Sequence, residues 1–150
     1  MSRLRRPLRL AAYAWTAPNT ALGLGVAAFA LALGATARVR HGALEVGGGR
    51  LGRLCARLPA PFGFSAITLG HVIVGLDHAT LAAVRLHEQV HVRQYERWGP
   101  FFIPAYLLSS LVQLLRRRDP YLDNRFEREA YGGRPPRRTA PPARRMRRGG

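Results

Sequence analysis

The pentapeptide HEQVH, residues 87–91, sets two histidines four positions apart with a glutamate directly after the first. On a helix, side chains at i and i+4 stack on one face. His87 and His91 can therefore aim two imidazole nitrogens at one metal ion while Glu88 stays on the adjoining edge. A pair of imidazoles suits Zn2+, which in catalytic sites takes three protein ligands and keeps a fourth position open. The chemistry that follows is metal-assisted hydrolysis: the ion lowers the pKa of a water towards about 7, and Glu88, as general base, carries the proton from that water to the leaving group. The chain holds five His and five Glu, so a polar helix could also carry these letters without a metal. A third ligand separates the two readings.

The stretch DNRFEREAY, Asp123 to Tyr131, offers one. Read as a helix, it puts Asp123, Glu127, Ala130 and Tyr131 on a common face, with Glu129 turned away. Glu127 is the expected third ligand, and Tyr131 with Asp123 or Asn124 could support a ligand or stabilise an oxyanion. HExxH completed by a glutamate on a later helix resembles the gluzincin superfamily of metallopeptidases. The nearer likeness is to membrane-bound heat-shock-type and prenyl-protease-type peptidases, whose later motif reads ExxAD. Residues 127–131 give ExxAY, so Tyr131 stands where those families place an Asp that supports a histidine ligand. The longer run HEQVHVRQYERWGPFFIPAYLL, followed by DNRFEREAY, is also similar to a family of small bacterial membrane proteins with no established substrate. That likeness spans Ala66 to Tyr131. The peptidase resemblance implies Zn2+ as cofactor, a peptide or membrane-protein substrate, and an edge strand before the motif helix that aligns it.

The elements that must position these residues can be read along the chain. RVRHGALEV, Arg38 to Val46, alternates about His41-Gly42 and reads as a hairpin; residues 50–58 could form a short helix before Pro59 and Pro61. AITLGHVIVG, Ala66 to Gly75, is rich in branched apolar residues and reads as one strand containing His71, a packed or substrate-facing side chain. Asp77 can cap a helix that carries HEQVH and stops at Gly99-Pro100. A second apolar helix runs from about Phe101 or Pro104 to Arg118, and Asp119-Pro120 opens a third that ends at Gly132-Gly133. For Glu127 to return to the histidines, the second helix must fold back rather than cross a membrane. The aromatics Trp98, Phe101, Phe102, Tyr106 and Tyr121 read as core or membrane-interface residues.

Residues 10–37 contain no charged side chain, and Arg9 and Arg38 flank them. That length exceeds the roughly 20 residues needed to cross a bilayer. A membrane anchor is expected here, with a signal peptide cleaved after Ala35-Thr36-Ala37 as the competing reading. The expected organisation is a basic N-terminus (1–9), a transmembrane anchor (10–37), a gluzincin-like domain (38–133) and a disordered Arg/Pro-rich tail (134–150). In fold class this is α+β, an N-terminal transmembrane helix followed by a small, mainly helical domain with a short sheet. Of 24 basic residues against 8 acidic ones, all are arginine. That bias makes nucleic acid a poor inference from charge, although the tail could touch anionic lipid. The flanking arginines place the domain on the cytoplasmic side of an inner membrane by a narrow margin. The single Cys55 excludes an internal disulfide and a CxxC site. A non-enzymatic membrane protein with a structural or degenerate HExxH helix is the alternative to a peptidase.

Overall fold

The computed structural model describes residues 5–58 and 65–133. The tail (134–150), Pro59 and Pro61 lie outside the described residues. The chain is α+β: helix α1 (Arg5–Ala32), strands β1 (Thr36–Arg40) and β2 (Ala43–Gly47), helix α2 (Gly49–Cys55), strands β3 (Ala66–Leu69) and β4 (Val72–Gly75), then helices α3 (His78–Trp98), α4 (Phe102–Leu115) and α5 (Arg125–Ala130). A 3-10 turn, Gly99–Phe101, joins α3 to α4.

Among the described residues the strands form one sheet in the order β1-β2-β4-β3, with β2 and β4 parallel and both outer pairs antiparallel. The hairpin expected at His41-Gly42 is present, both turn residues taking positive φ (50° and 83°) as a two-residue turn requires. The ten residues read as one strand are instead a second hairpin. Gly70, at φ 61°, opens a two-residue turn with His71, and the apolar run on either side pairs with itself. His71 therefore sits at a hairpin tip. Its side chain is buried, bridging Thr16 Oγ1 (3.0 Å) and Glu96 Oε1 (3.1 Å).

Alternation along the strands gives the sheet two apolar faces. Val46, Val72 and Val74 pack against Ala27 and Ala30 of α1, while Ala43 and Ile73 pack against Leu81 and Val92 of α3. The helix expected as an anchor is thus one layer of the domain, and the packing does not divide at residue 37. Small residues allow the close approach: a Cβ on Gly23 would fall 2.7 Å from the Leu69 carbonyl oxygen and 2.8 Å from Val72 Cβ. Polar contacts add to it, since Asn19 Nδ2 donates to Gly99 O at 2.8 Å. The outward face of α1 still presents Leu22, Leu24, Phe29 and Leu31. By length and composition, the segment among the described residues able to cross a membrane is His78–Leu115 rather than the N-terminal helix.

That segment does not run straight. Asp77 caps α3 by accepting from Thr80 N, and Gly99 ends it at φ 54°, as the sequence implied. The chain then turns through the 3-10 element, and Phe102 packs with Tyr95 and Phe126 in a third apolar cluster between α3, α4 and α5. The third helix is shorter than expected. Asp119 caps only a turn, through Tyr121 N and Leu122 N, whereas α5 begins at Arg125 with Asn124 as its cap. Asn124 is fully buried and donates to Tyr106 O and Ser110 Oγ, and these bonds fix where the helix can start.

Candidate metal centre

Helix α3 places His87 and His91 one above the other on the flank facing β3 and α5, their rings edge-to-face at 4.7 Å. The first turn of α5 brings Glu127 into the same space. His87 Nε2 lies 3.0 Å from His91 Nε2 and 3.2 Å from Glu127 Oε2, and His91 Nε2 lies 3.4 Å from Glu127 Oε1. Each residue offers one donor atom, all within 4.8 Å of one another, so the group could hold a metal ion. The fit is close: metal–ligand distances of about 2.0–2.1 Å in a tetrahedral site imply donor–donor edges of about 3.3 Å. Glu127 Oε2 is buried and has no hydrogen-bond partner despite its proximity to His87, as expected of an oxygen whose partner is a cation.

The hydrogen bonding around the group agrees with this. His91 Nδ1 donates to Gln94 Oε1 at 2.9 Å, which in the neutral ring leaves Nε2 as a lone pair aimed at the centre. Gln94 is fully buried and held in turn, its Nε2 donating to Phe126 O and to Glu129 Oε2, both at 3.0 Å. Tyr106 donates to Glu127 Oε1 at 2.7 Å. Burial alone would raise the Glu127 carboxyl, but its contacts with His87, His91 and Tyr106 outweigh that and pull it down to about 2. Burial likewise opposes protonation of His91, yet the Glu127 carboxylate and Gln94 raise its pKa above the usual imidazole range. Burial, followed by the charge of Glu127, pushes the Tyr106 hydroxyl up, so it stays a proton donor.

Glu88 stands apart from the three ligands. Its carboxylate is buried and accepts from Thr68 Oγ1 of the edge strand β3 at 2.6 Å. A cavity of about 390 Å³ opens beside it, with Ile67, Thr68 and Leu69 of β3 on one wall and Phe102, Ile103, Tyr106 and Tyr121 on the other.

The expected supporting residues behave differently. Tyr131 makes no hydrogen bond to a ligand: its ring packs on His87 at 4.3 Å and its hydroxyl meets Tyr121 OH. His87 Nδ1 is buried without a partner, so Tyr131 leaves that imidazole without hydrogen-bond support. Asp123 accepts from Asp119 N and Asn124 caps α5, so neither reaches the centre. Glu129, expected to turn away from the HEQVH helix, instead reaches it outside the ligand set, accepting from Gln94 Nε2 and from Arg97 of α3. Sequence reasoning missed Gln94, Thr68 and Tyr106. Gln94 was within reach of it, lying three residues after His91 on the same helix. Compared with protein-family models, curated proteins and solved structures, the chain matches none.

Proposed function

We propose that the chain is a membrane-associated zinc metallopeptidase of gluzincin-like design. One observation carries the reading: His87, His91 and Glu127 converge at separations that suit a tetrahedral ion, while Glu88 lies beside them outside the ligand set. Zinc bound there would supply a Lewis acid and a water with a pKa near about 7. The protein's own groups do the rest. Glu88, oriented by Thr68, takes the proton of the attacking water and returns it to the leaving amine. Gln94 fixes the His91 tautomer, and Tyr106 holds Glu127. Among the described residues strand β3 pairs with β4 on one side only, so its other edge can receive an extended peptide. The aromatic and aliphatic walls of the cavity favour an apolar side chain there. The resemblance of HEQVH and ExxAY to gluzincin motifs supports the same chemistry.

Membrane association draws on the apolar exposure. Leu107, Leu108, Leu111, Leu114 and Leu115 of α4 face outward, and Arg116, Arg117 and Arg118 follow them at headgroup-binding positions. Helix α4 has 14 residues, about 21 Å at 1.5 Å each, which is short of a bilayer core of about 30 Å. It therefore lies in or dips into the membrane, and the outer face of α1 provides a second apolar surface. The arginines that flank residues 10–37 favour the cytoplasmic side of an inner membrane for the domain in this proposal. The unsupported His87 Nδ1 favours a second reading, a metal site that is structural or catalytically degenerate.

The deciding experiment measures zinc content and cleavage of a membrane-peptide library for wild type, His87→Ala and Glu88→Gln. The peptidase reading expects about one zinc per chain in wild type and Glu88→Gln, with cleavage only in wild type. Near-zero zinc in wild type after loading removes the metal site. Zinc that is retained without cleavage in wild type favours the structural reading.

A further inference from the structure

Helix α3 carries a second set of groups on the flank turned away from the metal centre. Arg85, Gln89, Arg93 and Glu96 recur at helical spacing and line a cavity of about 390 Å³, closed by Arg9 and Tyr13 of α1, His41-Gly42 of the β-turn and the buried His71. Four separate elements thus converge on it, and three of its lining residues are guanidinium groups.

Its free hydrogen-bonding capacity is almost all donor. Among the described residues neither Arg9 nor Arg93 has a carboxylate partner. Arg85 is oriented by Glu45, which takes its Nε at 2.7 Å and one terminal nitrogen at 3.1 Å and leaves the other terminal nitrogen unengaged. Gln89 Nε2 is buried with no partner. The hydroxyl of Tyr13 is used by Gly42 O, and the one lining carboxylate, Glu96, is engaged by His71 through Oε1 and keeps Oε2 free at the exposed rim. A carboxylate ligand could satisfy one guanidinium in a bidentate pair. Cations arriving from α1 and from two turns of α3 instead suit an anion with acceptor oxygens on several sides. The cavity also exceeds what a bare tetrahedral anion fills, leaving room for an ester substituent.

We propose that this cleft binds a phosphate ester, with Arg9 and Arg93 as its primary cations and Arg85 and Gln89 as supporting donors. The phosphate belongs either to a small soluble ester or to the headgroup of an anionic lipid. The site is independent of the metal centre.

The test uses full-length protein in non-ionic detergent at constant ionic strength. Inorganic phosphate and glycerol 3-phosphate are titrated by calorimetry, and flotation is measured with phosphatidylcholine vesicles with and without phosphatidylglycerol. Two variants remove equal charge: Arg9→Gln/Arg93→Gln at the cleft and Arg53→Gln/Arg57→Gln on α2 and just beyond it. The four arginines are exposed, so folding should persist, and thermal melts check it. The cleft pair is expected to weaken binding at least about 10-fold, the α2 pair less than about 2-fold, and Gln89→Met to an intermediate degree. Calorimetric binding of glycerol 3-phosphate assigns the site to soluble esters. Dependence on Arg9 and Arg93 seen only in phosphatidylglycerol flotation assigns it to lipid. Equal losses in both charge pairs, or no loss in the cleft pair in either assay, overturns the proposal.

Discussion

Gln94 accepts the Nδ1 proton of His91 at 2.9 Å, and this bond decides which face of the imidazole carries the lone pair. The amide cannot turn over, because its nitrogen is committed to Phe126 O and Glu129 Oε2. Gln94→Met keeps the volume but removes the acceptor, freeing the ring to choose its tautomer. Zinc affinity should fall about 10- to 100-fold, the usual cost of losing such a partner. Competition with a chromogenic chelator at fixed pH measures it. An unchanged affinity, with the fold intact by thermal melt, would remove Gln94 from the site.

The two glutamates of α5 should separate cleanly. Glu127 is buried between the histidines, so Glu127→Gln replaces an anionic ligand with a neutral one and should cost at least about 10-fold in zinc affinity. Glu129 acts one step further out, accepting from Gln94. A glutamine at 129 can still accept through its amide oxygen, so Glu129→Gln should change affinity little, whereas Glu129→Ala should weaken it measurably. The reverse order would mean that α5 is rotated relative to α3.

Thr68 links the edge strand to the proposed base. Thr68→Val keeps the shape and removes the donor to Glu88 Oε2, leaving a buried carboxylate oxygen without its 2.6 Å bond. The expected signature is a drop of about 10-fold in kcat with zinc content unchanged, since only the orientation of the base is lost. A fall in zinc content instead would place Thr68 in support of the ligands.

The group that could hold a metal was legible because each step rested on local geometry: the i, i+4 spacing of His87 and His91, and the helical face that carries Glu127. What the sequence hid was non-local or degenerate. Tyr106 reaches Glu127 across 21 residues, and no spacing rule connects them. The turn at Gly70-His71 lies inside an unbroken apolar run, so strand period alone could not place it. Asp119-Pro120 carries a stronger helix-start signal than Asn124, yet the buried bonds of Asn124 to α4 set the start of α5. The small, apolar α1 was ambiguous for a physical reason: a helix pressed on a sheet and a helix bathed in lipid both favour alanine, glycine and leucine.

That ambiguity has a direct test in two glycines of α1, two residues apart. Gly23 is buried against β3 and β4, where an added Cβ would meet the Leu69 carbonyl oxygen at 2.7 Å; Gly25 points outward with nothing within 4 Å. The Leu69 contact is backbone, so it cannot yield by a rotamer change. Gly23→Ala should therefore force the helix off the sheet and destabilise the domain by about 1–3 kcal/mol. Gly25→Ala meets no obstacle and gains helix propensity, so it should be neutral or stabilise by up to about 1 kcal/mol. Denaturation of both variants in the same detergent, followed by tryptophan fluorescence, gives the comparison; Trp15 packs near Phe101 and reports the junction of α1 with the 3-10 turn. A free anchor predicts the same response at both positions, because neither glycine would then touch the domain. Opposite signs at Gly23 and Gly25 place α1 in the fold as the layer that supports the β3–β4 hairpin, and through Thr68 the site itself.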